Sequence, residues 1–244
     1  MAFTVYDLLA LFIITFGIMV QAWVGIGVGL LAAPLLYLIN PAYVPGPALV
    51  LGVSLSLLVV LKQHNNISWK RVMPAIIARV PGAWCGAALL VSVPKYGLSL
   101  MFGASLLLAV GFTWRACKVA TTPMSLTVGG FLSGLMGTAT SIGGPPIALV
   151  YQEQNRITAR NEISAFFLIG TPVSIAMLAW QGNFGQTSVL LSLKMMPGVL
   201  IGFFLANRLD GLINTTSVKP FLLFMSTTSA LLVLFKGVQG WLKV

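Results

Sequence analysis

The sequence predicts an all-α polytopic membrane protein. It should have about eight hydrophobic helical segments in two pseudo-symmetric, inverted repeats, each opening with a segment broken by glycine and proline. Three observations carry this. Of 244 residues, 58% are hydrophobic and only 7% charged, whereas a soluble domain carries about 25% charged residues. The apolar runs are continuous and near the ~20 residues a helix needs to span, unlike the ~10-residue alternation of a membrane β-barrel. Finally, two uncharged runs contain Gly-rich, Pro-terminated breaks: GIGVGLLAAPLL from Gly25 to Leu36, and GLMGTATSIGGPPI from Gly134 to Ile147.

In chain order the apolar segments fall at 8–39, 46–61, 72–93, 97–114, 124–150, 163–180, 187–206 and 220–235. The first would be about 48 Å long as one straight helix, and the fifth about 40 Å. Both exceed the roughly 30 Å hydrocarbon core. They are also the two that carry the breaks. Irregular backbone survives at membrane depth only where protein covers it or water meets it, so the breaks are expected to face each other and form a site.

The chain repeats itself. VPGAWCG (Val80–Gly86) and MPGVLIG (Met196–Gly202) share Pro-Gly-x-x-x-Gly, with Pro81 and Pro197 116 residues apart. Pro34 and Pro146 align the breaks at 112. One integral membrane domain of two repeats, 1–118 and 119–244, is expected, each a broken segment followed by three ordinary ones.

The net charge of +10 is scattered between apolar runs, which suits the positive-inside rule and not nucleic acid. If the broken segments are re-entrant hairpins, Lys62, Lys70, Arg71, Arg115, Lys118, Arg156, Arg160, Arg208 and Lys219 share one face. Lys95, Lys236 and Lys243 take the other. Single crossings would split the basic residues almost evenly. The hairpin layout obeys the rule better and inverts the halves, an arrangement that puts a transporter's site at the midplane. The first run lacks a basic leader region and is expected to be retained.

Candidate site residues follow from charge and backbone. Arg79 and Lys194 lie within apolar segments, each just before its Pro-Gly-x-x-x-Gly, with no carboxylate nearby in sequence. A charge at membrane depth costs about 2.5–3.5 kcal/mol on insertion scales. Either both residues snorkel to an interface, or the missing counter-ion is an anionic substrate. The breaks favour an anion: Gly25, Gly27, Gly29, Gly143, Gly144 and Pro145 let backbone approach a ligand. Half-helix N-termini offer free N–H groups there, and Thr138, Thr140 and Ser141 add hydroxyls. Gly129, Gly130, Ser133 and Gly134 read instead as helix-packing positions. Glu153 and Glu162 flank Arg156 and Arg160 and are expected to form a locally charge-paired loop, the alternative being a gate or a proton relay.

Enzyme readings find little support. His64 is the only histidine and sits in a polar loop, and Cys85 and Cys117 have no metal-ligand spacing. No metal or cofactor is expected. The expected partners are a small anion and the lipid bilayer, with a homodimer compatible and no nucleic acid.

The stretch GTATSIGGPPIALVYQEQNRITARNEISAFFLIGTP, with the glycines of the first break, resembles the sulfite exporter TauE/SafE family. The resemblance extends over nearly the whole chain. It implies a membrane transporter, not an enzyme, that moves sulfite, sulfonates or sulfoacetate-like anions across the bacterial inner membrane. Gly25, Gly27 and Gly29 match the first motif, and Gly143, Gly144 and Pro145 the second. Val28 and Ser141 depart from the Gly-rich pattern. Alternating access about the two breaks is the expected mechanism; an anion channel with the same lining, or an assembly factor, remains the alternative.

Overall fold

A computed structural model describes residues 4–25, 28–93, 95–114, 119–209 and 215–241. Gly27, Arg115, Cys117, Lys118, Asp210 and Lys243 lie outside them, as do the side chains of Lys95 and Lys219. The described residues form helices and no strand: α1 (Val5–Val24), α2 (Ala33–Ile39), α3 (Gly46–Gln63), α4 (Trp69–Ser92), α5 (Lys95–Trp114), α6 (Pro123–Thr140), α7 (Gly144–Val150), α8 (Arg156–Trp180), α9 (Gln186–Leu209) and α10 (Thr215–Trp241). Among the described residues, six stretches are long and apolar enough to cross a membrane: Val5–Val24, Pro41–Gln63, Trp69–Ser92, Gly97–Trp114, Arg156–Trp180 and Gln186–Leu209. The long arm of the first broken segment, Val5–Val24, is among these, and no part of the second is.

Both broken segments fold back on themselves. In the second, the Thr121 hydroxyl before α6 donates to the Val150 carbonyl at the end of α7 (2.8 Å), so its two ends share one face. In the first, α1 turns through a π-helical stretch, Val28–Ala32, into α2. Ala32 packs on Gly17, and Tyr43 beyond α2 reaches Asp7 at the start of α1. The two hairpins enter from opposite ends. The root of the first lies beside Lys236, which reaches the Leu38 carbonyl. The root of the second lies beside Arg71, which reaches Gln154.

The repeat has a structural counterpart. Each hairpin's long arm ends on a left-handed residue, Gly25 (φ 86) and Ser141 (φ 63), whose N–H caps the carbonyl four residues back. They are 116 residues apart, the spacing of Pro81 and Pro197, so Gly25 and Ser141 align the breaks better than Pro34 and Pro146. The repeated Pro-Gly-x-x-x-Gly does the same job twice. Gly82 and Gly86 bring α4 against the α6 backbone at Phe131 and Leu135, while Gly198 and Gly202 bring α9 against α1 at Ile14 and Thr15. Small residues at a crossing let helix backbones approach closely.

Gly130 and Gly134 pack on α4 and Gly129 on α7, as their packing role requires. The outer surface is apolar: Phe12, Leu108, Phe204, Phe224 and Phe235 are exposed. Trp114 and Trp180 stand exposed at the ends of α5 and α8, where aromatic side chains suit a membrane interface.

Candidate functional site

The two breaks meet. A Cβ added to Gly29 would lie 2.5 Å from the Ser141 carbonyl oxygen, closer than any real side chain tolerates, so only glycine lets the tips touch. Beside this contact is a cavity of about 40 Å³, lined from the first hairpin by Gln21, Gly25, Val28 and Gly29 and from the second by Ser141, Gly144 and Pro145. The rest of the wall is Leu30, Ala48, Leu49 and Gly52, closed on the α8 side by Phe167 and Thr171. The space suits roughly three water-sized groups.

The hairpins are latched to each other. Ser141 holds its left-handed conformation at the tip of the second while its hydroxyl donates to the Pro45 carbonyl (2.8 Å), beside the root of the first. Arg160, near the root of the second, donates to the Ala22 carbonyl (3.4 Å) just before the first tip. That carbonyl belongs to the negative end of α1, where a cation is favoured.

Arg79 stands behind the cavity. It is fully buried, and among the described residues no carboxylate reaches it. Its guanidinium donates to the hydroxyls of Ser133 (3.2 Å), Thr171 (3.4 Å) and Ser174 (3.3 Å). It also lies 4.9 and 5.2 Å from the ring centres of Phe166 and Phe167, within cation–π range. Nε has no partner. The site for this side chain is carved by glycine: a Cβ at Gly170 would collide with Arg79 Cδ, and one at Gly137 would crowd Nη2. Arg79 therefore does not snorkel. Its charge is solvated by neutral dipoles and π faces, a partial substitute for water.

The hydroxyls divide by role. Thr171 both lines the cavity and accepts from Arg79, so its oxygen is engaged and its proton can turn toward a guest. Thr138 donates to Ser174 (2.8 Å) and belongs to the Arg79 ring. Ser133 donates to the Gly143 carbonyl (2.5 Å) while accepting from Arg79, which makes it more than a packing residue. Thr140 donates to the Met136 carbonyl of its own helix. Ser141 spends its proton on Pro45.

Lys194 is placed differently from the expectation. It does not line the cavity and is not without a carboxylate: its ammonium lies 2.6 Å from Asp7 Oδ2. Asp7, held also by Thr4 and Tyr43, is 187 positions away in sequence. The half-helix N-terminus of α7 is also poorer in donors than expected, because Pro145 and Pro146 occupy its first turn and proline has no N–H. Nor is Glu162 part of a charge-paired loop. It is buried within α8, with Oε1 3.6 Å from Arg71 Nε of α4. Phe167, Thr171 and Ser174 were not foreseen; the polar clusters GTPVS in α8 and Gln21 in α1 were the available signals.

The chain matches the family described as Sulfite exporter TauE/SafE over residues 9–233. The chain belongs to the sulfite exporter TauE/SafE family. No match was found among curated proteins or among solved structures. TauE/SafE membership fits a multi-pass helical protein with six long apolar helices among its described residues. It makes this a member of a membrane transporter family for sulfite-type anions.

Proposed function

We propose that the protein is a secondary transporter for a small oxidised-sulfur anion (sulfite, a sulfonate or a sulfoacetate-like species), working by alternating access in the bacterial inner membrane. One observation carries the reading: Arg79 is a fully buried cation with no carboxylate among the described residues, one hydroxyl away from a cavity between the hairpin tips. A charge kept at that depth without a counter-ion is a functional feature by default. An anion in the cavity would receive the Thr171 hydroxyl directly and the Arg79 field through it. Gln21, whose Oε1 accepts from Val28 N–H (2.9 Å), keeps its amide protons for the guest.

The orientation follows from charge. The end carrying Lys62, Lys70, Arg71, Arg156, Arg160 and Arg208 is the cytoplasmic one by the positive-inside rule. Contact between Gly29 and Ser141 closes the direct path between the faces, which favours a gated carrier over an open channel.

The test is thermal stabilisation of purified protein by sulfite, sulfate, thiosulfate and organosulfonates, with chloride as the control. Sulfite-type anions should stabilise the protein and chloride should not. No shift with any of them would remove the substrate assignment. Accumulation of sulfite against its gradient in proteoliposomes separates a carrier from a channel, which can only equilibrate.

A further inference from the structure

We infer that Glu162 is a proton-binding site coupled to anion movement, in which a proton and Arg71 compete for one buried carboxylate. The inference rests on the transporter reading. The chain has four carboxylate side chains. Asp7 is held by Lys194, Glu153 is exposed and Asp210 lies outside the described residues. Glu162 is 1% exposed while its partner Arg71 is 39% exposed. One carboxylate oxygen faces Arg71 at 3.6 Å, and the other, Oε2, has no hydrogen-bond partner. The buried Tyr151 hydroxyl lies beside this carboxylate and interacts with it. It stands close enough that the Glu162 charge adds to burial in raising its pKa.

This asymmetry sets up the competition. Arg71 can swing into water at little cost; Glu162 cannot. A buried carboxylate stripped of its cation is strongly disfavoured and takes a proton instead. One proton from water at the basic face then forms an O–H bond on Glu162, which becomes neutral, and Arg71 is released to solvent. Deprotonation reverses both changes.

The surroundings confine the effect. Arg71 is the cation on α4 that reaches Glu162. On α3, Lys62 is directed to Asn207 of α9, and α6 carries no charged residue. On α8 itself Arg160 reaches the α1 end. Beside Glu162, Asn161 is fully buried with both amide atoms unpartnered, so the helix carries unused polar capacity at this level. The position links proton to cargo. Glu162 sits on α8, and Thr171 is nine residues further along the same helix, about 14 Å at 1.5 Å per residue.

The experiment uses purified full-length protein in proteoliposomes with radiolabelled sulfite, against protein-free liposomes. Two readouts are taken: sulfite–sulfite exchange at equal pH, and net uptake driven by a pH gradient. Wild type should do both. Glu162→Gln should retain exchange and lose gradient-driven uptake, while retained gradient-driven uptake in E162Q overturns the inference. Wild-type exchange with no response to the gradient also overturns it and spares the transporter reading; absent exchange in wild type removes the transporter reading itself. Should E162Q fail to fold, Arg71→Gln decides. Without its cation the buried carboxylate has only a proton for a partner, so R71Q should still exchange sulfite and lose gradient-driven uptake. Gradient-driven uptake retained in R71Q overturns the inference.

Discussion

Lys194 Nζ lies 2.6 Å from Asp7 Oδ2, tying the middle of α9 to the first turn of α1. Asp7 also belongs to a capping box with Thr4 and accepts from the Tyr43 hydroxyl, so the root of the first hairpin converges on this one carboxylate. Lys194→Ala should lower the melting temperature of the detergent-solubilised protein, because it strands a paired carboxylate. Asp7→Leu combined with Lys194→Met should recover much of that loss, since replacing both partners of an ion pair is far milder than breaking it. The double variant should still be stabilised by sulfite. Loss of sulfite binding in the double variant would return Lys194 to the site.

Arg79 should behave in the opposite way. Arg79→Met should abolish stabilisation by sulfite while leaving the melting temperature of the unliganded protein unchanged or higher. The variant removes a buried charge that has no carboxylate to neutralise it. A scan of melting temperature with and without sulfite reads both effects. An Arg79→Met protein that still binds sulfite would make the arginine purely structural.

Two glycines at the cavity make a matched pair. Gly29→Ala puts a methyl against the Ser141 carbonyl and should destabilise the protein by about 1–3 kcal/mol, the usual cost of overpacking. Gly52→Ala has open space around its Cβ, so it should fold normally. Because Gly52 lines the cavity, the methyl shrinks the space. Transport of bulky organosulfonates should fall more than that of sulfite, as competition against labelled sulfite would reveal.

Topology can be checked by labelling single cysteines in a Cys-free background. A cysteine replacing Gln154 should react from the cytoplasmic side and one replacing Gly182 from the opposite side. The two residues lie at opposite ends of α8. Labelling of both from one side would contradict the inverted hairpins.

The breaks were legible because glycine and proline punctuate local backbone, and the repeat was legible because its spacing is fixed in sequence. The hairpin layout could be read from charge, since Arg156, Arg160 and Arg208 join the other basic residues on one face only if both segments return. The site's second layer was not legible. A hydroxyl in a helix ordinarily bonds its own preceding turn, as Thr140 does, and nothing local distinguishes it from Thr171, which turns to Arg79. The Asp7–Lys194 pair was hidden by sequence distance. The start of α8 was placed late because Arg156, Arg160 and Glu162 look like loop residues, yet Glu162 is buried against Arg71 and Arg160 against α1.

The reciprocal latches have a mechanical consequence. Each hairpin's tip is fastened beside the other's root, through Ser141 to Pro45 and through Arg160 to Ala22. Neither root can shift without disturbing the fastening at the far tip. The fold is wired like an airlock, in which each door's bolt is mounted on the other door's frame.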